Sequence, residues 1–327
     1  MQPGSRQSGS AHGSGTLGGS LHIGVSERSG YGATDPRLGA RWMVERVRAA
    51  RDAGLESLFL GEHHATGGTY YQSAPMLGRL MAEWGDRPAG ALFLLPLWHP
   101  VTLAEQVGTL ASLTAGRFIL QCALGGGEDQ FAGMGVPLRG RVARFESTLS
   151  VLRRLLAGEE VTTDQPLSLT SARGGPLPPE PVDVWIGASA PAAIDRAARL
   201  GDGWIAAPGT TPAQAAEQID LYRSSCAAHG RPVGVTAIRR DIHVGADPAD
   251  ARRVAEPILA GGYRGLPVQS LVIGGVDQIS AAFADLGDLG YSHVLVRHLA
   301  DDQGEVLASY GRLAAVRSNL DGRSVPT

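Results

Sequence analysis

The chain has 327 residues and a formal net charge of −3, and all 29 of its basic residues are arginine. Without a lysine amine, Schiff-base aldolases, lysine-anchored pyridoxal enzymes and ordinary P-loop nucleotidases are excluded, and every cationic contact must come from a guanidinium. A near-neutral chain with no basic run carries no electrostatic footprint for nucleic acid, and no apolar stretch approaches the roughly 18 residues a membrane helix requires.

Residues 1–20 are mostly Gly, Ser and other polar groups, which cannot bury enough apolar surface to offset ordering entropy, so a disordered tail is expected. The segment lacks the apolar stretch of a secretory signal. Its GxGxxG string at Gly13, Gly15 and Gly18 precedes the first strand instead of joining a strand to a helix, and is read as a chance match. Cys122 and Cys226 are too few and too far apart for a disulfide framework; a reducing compartment, and hence the cytoplasm, is expected.

From Leu21 onward short apolar runs alternate with helical segments. Strands are predicted at 21–25, 57–61, 90–95, 118–124, 182–187, 203–207, 235–244 and 293–297. Pro36, Pro100, Pro191 and Pro212 open helices, while Gly54, Gly116, Gly158, Gly201 and Gly230 stand where helices must end. One domain over 21–320 is expected, followed by a tail at 321–327. Two stretches break the rhythm: 159–181 reads as an inserted small hairpin, and 257–275 as a candidate mobile lid.

Eight parallel strands with alternating helices close most economically into a (β/α)8 TIM barrel, whose chemistry sits at the strand C-terminal ends. A doubly wound open sheet gives the same alternation. It does not explain why polar groups gather just after separate strands: Glu62, His63 and His64; Trp98 and His99; Gly125 to Asp129; Ala188 and Ser189; Arg297 and His298. A metal reading of His63, His64 and His99 with a carboxylate is set aside, since His22 stands alone on the first strand and a bridging lysine is absent.

Three blocks, LGEHHATGG, LFLLPLWHPVTLAEQVGTLASLTAGRFILQCALGGGEDQFAGMG and VWIGASAPAAIDRAARLGDGW, together resemble the bacterial luciferase-like superfamily of flavin-dependent oxidoreductases, in the same order and over essentially 21–320. The resemblance implies a (β/α)8 barrel with insertions, usually a homodimer, that binds reduced FMN or a deazaflavin coenzyme at the strand C-terminal ends. Glu62-His63-His64 looks closer to the FMN-dependent monooxygenases, in which reduced FMN forms a C4a-hydroperoxide. No NAD fingerprint stands in the proper context, so a separate flavin reductase is expected to supply the reduced FMN. The implied activity is two-component oxygenation of a small-molecule or carrier-protein-bound substrate. The glycine count and exclusive arginine usage suggest a GC-rich bacterial genome, and a natural-product role is read from that alone. Two alternatives stay open: deazaflavin-dependent hydride transfer, and a non-catalytic flavin-binding relative.

For individual residues, the resemblance makes His63 the acid/base or hydroperoxide-stabilising group, a role within reach of an imidazole at neutral pH. His64, Trp98 and Phe131 are expected in the substrate pocket. Arg144, Ala188 and Ser189 are expected to hold the cofactor phosphate, His99 to pack beneath the flavin, and Gly125 to let the backbone approach it. Ala91 is placed at a non-prolyl cis peptide with Leu92. Leu124 and Gln130 depart from the residues that luminescent members carry at the end of the fourth strand. Cys122 is expected only to pack.

Overall fold

The computed structural model describes residues 21–32, 34–164 and 166–323; the expected tail at 1–20, with its GxGxxG string, and residues 324–327 lie outside the described residues. Strand β1 (His22–Glu27) is followed by the short β2 (Gly30–Gly32) and helix α1 (Pro36–Asp52). β3 (Ser57–Leu60), a second short strand β4 (Thr69–Tyr70) and α2 (Ser73–Trp84) repeat that order. β5 (Ala89–Leu94) leads through a 3-10 turn into α3 (Pro100–Ser112). Next come β6 (Ile119–Ala123), α4 (Glu128–Gly133) and α5 (Arg141–Leu156). β7 (Val161–Thr163) and β8 (Leu169–Ala172) form an antiparallel pair within the stretch read as an insertion. β9 (Asp183–Gly187), α6 (Pro191–Leu200), β10 (Gly203–Ala206) and α7 (Pro212–Ala228) resume the alternation. β11 (Val235–Val244), α8 (Pro248–Ala260), β12 (Val272–Gly274), α9 (Val276–Leu289), β13 (His293–His298) and α10 (Gln303–Arg323) complete it.

The eight predicted strands are β1, β3, β5, β6, β9, β10, β11 and β13, and in that order they pair side by side, all parallel, with β13 returning to β1. This is the closed (β/α)8 barrel. Its strands read as apolar runs because both faces are covered: Ser57 to Leu60 are all buried. Phe59 of β3 and Trp185 of β9 pack with their rings tilted, 5.5 Å between centroids. β5 and β6 lie between those strands in the sheet, so the contact crosses the inside of the ring, where Ile119, Ala237 and Leu295 join the same cluster. Gly90 permits the tight β5–β6 contact: a Cβ there would stand 2.1 Å from the Ile119 carbonyl oxygen.

The helices bury one stripe each against the outside of the barrel; on α1 that stripe includes Met43, Val47 and Ala50. Asp35 accepts the Leu38 N–H at the start of α1, and Thr211 and Gln214 form a reciprocal capping box on α7.

Three features differ from the sequence reading. The stretch 257–275 begins inside α8, since Pro257 is helical, and it contributes β12, which pairs with the last residues of β11. The stretch 321–323 still belongs to α10. The cis peptide expected between Ala91 and Leu92 is not formed: among the described residues the cis bond is Gly175–Pro176. β5 pairs with β6 in unbroken register from Gly90 to Leu94, which leaves no bulge to accommodate one.

Candidate active site

At the C-terminal mouth of the barrel lies a cavity of about 620 Å³, within the size range of small-molecule and cofactor sites. His63, two residues beyond the Gly61 that follows β3, lines it with an exposed ring. Beside it stands Tyr70, 5.9 Å away between ring centroids. Tyr70 is held by the β2–β4 ribbon, in which Gly30 pairs with Tyr70 and the Tyr71 N–H donates to the Ser29 carbonyl. This ribbon ties the loop after β1 to the loop after β3. Burial pushes the Tyr70 hydroxyl pKa up, so it stays protonated at neutral pH.

Glu62 organises the segment behind His63. Its carboxylate is buried, and it accepts hydrogen bonds from the Leu94 N–H and, at 2.8 Å, from Trp98 Nε1. The His64 N–H donates to Gln130 Oε1 at 2.9 Å, and Gln130 Nε2 donates to the Gly126 carbonyl. The His64 ring sits with Nε2 3.1 Å from Glu62 Oε1, without hydrogen-bond alignment, and meets Trp98 edge-on.

The opposite wall is cationic. Arg28 follows β1, Arg239 lies on β11, and Arg297 lies on β13, three neighbouring strands of the ring. Arg264, from the segment after α8, closes the rim with Tyr263. Buried Asp241 accepts from Arg239 at 3.1 and 3.4 Å, from Arg264 at 2.8 Å and from the Tyr263 hydroxyl at 2.8 Å. Burial works against the Asp241 carboxylate, but Arg239, Arg297 and Arg264 together hold its pKa below the ordinary value. Burial draws the Arg239 guanidinium down to about 10, with Arg297 and Arg264 repelling it and Asp241 only partly offsetting both effects.

Of the residues singled out from sequence, His63 lines this cavity. His64 and Trp98 form the layer behind it, joined through Glu62. Phe131 is buried against Leu94 and Leu97. Ala91 is fully buried in β5, and its neighbour Leu92 reaches the cavity instead. His99 is exposed at the N-cap of α3 and makes no side-chain cap. Gly125 has φ +68° and lies against Leu94 and Phe131. Ala188 is buried and its carbonyl accepts from Trp204 Nε1. Ser189 is exposed just before Ala190, the N-cap of α6. Arg144 lies in the first turn of α5, and both it and Arg141 keep a buried Nε with no hydrogen-bond partner. Those orphaned donors are of the kind that receive a phosphate, and in that respect the residues fit a phosphorylated flavin or deazaflavin; Arg141, Arg144 and Ser189 stand outside the cavity lining that includes His63. No group of three or more His, Cys, Asp or Glu side chains converges on a metal site among the described residues, and no helix there is long and apolar enough to cross a membrane.

Sequence reasoning missed Arg28, Arg239, Arg264 and the Glu62–Trp98 bond. One signal was available: Arg239, Arg240 and Asp241 place three consecutive charged residues in the middle of a strand.

Comparison with known proteins agrees with this architecture. An F420-dependent glucose-6-phosphate dehydrogenase of Beutenbergia cavernae is 33% identical over 195 residues, 56% of this chain, and the chain spans only 57% of that relative's length. The enzyme of the same name from Intrasporangium calvum is 25% identical over 324 residues, covering 86% of this chain and 96% of the relative. The oxygenating constituent of 3,6-diketocamphane monooxygenase of Pseudomonas putida, solved in complex with FMN, superposes with a TM-score of 0.78 at 12% identity, over 91% of this chain and 98% of that one. The luciferase-like monooxygenase family model matches residues 18–286, and the chain belongs to that family.

Proposed function

We propose that the protein is a deazaflavin-dependent oxidoreductase that moves a hydride to or from a small organic alcohol or carbonyl compound. The observation that carries this reading is the lining of the cavity. His63 shares it with four guanidinium groups and two phenols, whereas oxygen insertion calls for an apolar hollow that keeps water away from the activated oxygen. The similarity to F420-dependent dehydrogenases supports the same choice.

A bound deazaflavin supplies a two-electron acceptor and donor of hydride. The chain's own residues do the rest. Arg141, Arg144 and Ser189 would hold the coenzyme's anionic tail, and Leu92 offers an apolar contact inside the mouth. His63, whose ring has no protein hydrogen-bond partner among the described residues, would take the hydroxyl proton of an alcohol substrate as that alcohol is oxidised to a carbonyl compound. In the reverse direction it returns that proton. Tyr70 and the β2–β4 ribbon hold the ring at the cavity wall.

The test is anaerobic titration of the purified protein with F420 and, separately, FMN, followed by assay with glucose 6-phosphate and a panel of alcohols. The expected outcome is tight F420 binding and substrate-dependent loss of the coenzyme's visible absorption. Preferential binding of reduced FMN, with substrate-dependent oxygen consumption, would replace this reading with oxygenation.

A further inference from the structure

We propose that Arg28, Arg239 and Arg297 form a seat for an oxyanion on the substrate, a carboxylate or a phosphate ester, and that this group selects what is brought to His63. The inference rests on the proposed reading of the same cavity and adds the class of molecule it accepts.

The three guanidiniums come from adjacent positions of the ring, β1, β11 and β13, so they share one arc of the mouth. Their partners do not match them. One carboxylate, Asp241, serves both Arg239 and Arg264. Arg28 meets Asp301, whose side chain is 80% exposed. Arg297 has no ion-pair partner among the described residues, and its Nε is buried without a hydrogen bond. The remaining acid at the cavity, Glu62, is already engaged by Leu94 and Trp98. A guanidinium nitrogen buried without an acceptor is unfavourable, even where the rest of the group faces the cavity. Its planar fork is built to receive two oxygens of a carboxylate or phosphate. An incoming oxyanion would give the Arg297 Nε an acceptor and offset the repulsion from Arg297 and Arg264, which adds to the burial that chiefly lowers the Arg239 pKa.

This seat is separate from the residues assigned to the cofactor tail. Ser189 follows β9, which stands opposite β1 in the eight-strand ring, and Arg144 lies on α5. One anion site therefore lies on each side of the mouth, with His63 between them along the wall.

The experiment is calorimetric titration of the cofactor-free protein and its Arg297→Gln variant with inorganic phosphate and with acetate, alongside F420 and FMN titrations of both. The expected result is that at least one anion binds the native protein and binds the variant at least tenfold more weakly, with cofactor affinity unchanged. Stronger binding of phosphate assigns a phosphate ester, and stronger binding of acetate a carboxylate. Failure of both anions to bind, or equal binding by the variant, overturns the proposal. A tenfold loss of cofactor affinity in the variant also overturns it, because the seat would then belong to the cofactor. Should Arg297→Gln fail to fold, Arg28→Gln at the rim is read by the same criteria. Anion binding with no F420 binding would sink the deazaflavin reading while leaving the seat standing.

Discussion

Trp98 Nε1 donates a 2.8 Å hydrogen bond to Glu62 Oε1, which joins the loop after the second barrel strand to the loop after the third. The second carboxylate oxygen takes the Leu94 N–H. Both donors converge on one buried acid, so Glu62→Ala should leave the buried Leu94 N–H unsatisfied and free the half-buried Trp98 Nε1. A loss of about 1–3 kcal/mol is expected from the buried group. Urea unfolding of the variant checks this, and an unchanged midpoint would show that water replaces the carboxylate at no cost.

Gly90 is a packing requirement of the ring. A Cβ at this position would meet the Ile119 carbonyl oxygen at 2.1 Å, and backbone cannot step aside as a side chain can. Gly90→Ala should therefore destabilise the barrel by about 1–3 kcal/mol or more through overpacking. Gly116→Ala is the informative partner: no atom lies within 4 Å of its Cβ, and its cost should come from the positive φ of +87° alone. Thermal denaturation of the two variants should rank Gly90→Ala as the less stable.

The barrel was legible because parallel strands buried on both faces leave apolar runs, and helices between them leave proline starts and glycine ends. The short pieces were not legible. β2, β4 and β12 hold only two or three residues each, too few for a periodic signal, and they exist because the loops they join are brought side by side. The site divides the same way. His63 was readable as a polar residue just past a strand. Arg297 was readable in the same way, but the arginine wall was not, because Arg28 and Arg239 are far from it in sequence and join it only once β13 closes against β1 and β11. Phe131 shows what spacing alone does not reveal: an aromatic residue shortly after a strand end can be buried, and here its ring packs with Leu94 and Leu97.

Acid should weaken the fold through its buried histidines. Burial lowers His298 to about 3 and His293 to about 4, and His243 is lowered in the same direction. Their folded pKa values lie below the unfolded value of about 6.5, so all are neutral in both states above that pH and contribute no pH dependence there. As pH falls below about 6.5 the unfolded chain takes up protons that the folded chain refuses, and stability declines until each folded pKa is reached. His298 is enclosed, with neither ring nitrogen hydrogen-bonded and Tyr310 packed 4.1 Å from its ring. His298→Leu should therefore reduce the slope of unfolding free energy between pH 6 and 4 by about 1.4 kcal/mol per pH unit, the worth of one proton. Denaturant melts across that range measure it, and an unaltered slope would mean that His298 is charged in the folded protein.

In the proposed reaction His63 is the side chain that moves the proton. It lines the cavity, yet its ring takes part in no hydrogen bond with the described protein, while the backbone around it is held: its carbonyl accepts from Gln72 Nε2, and the next residue's N–H is fixed by Gln130. A group so mounted is dispensable for folding and available to a substrate proton. His63→Asn should retain the native unfolding midpoint and native cofactor affinity while kcat falls by about 10²- to 10⁴-fold, the range expected for losing a positioned acid/base. Steady-state kinetics beside a cofactor titration separate the possibilities. A parallel loss of cofactor affinity would make His63 a binding residue, and unchanged kcat would require another group to carry the proton.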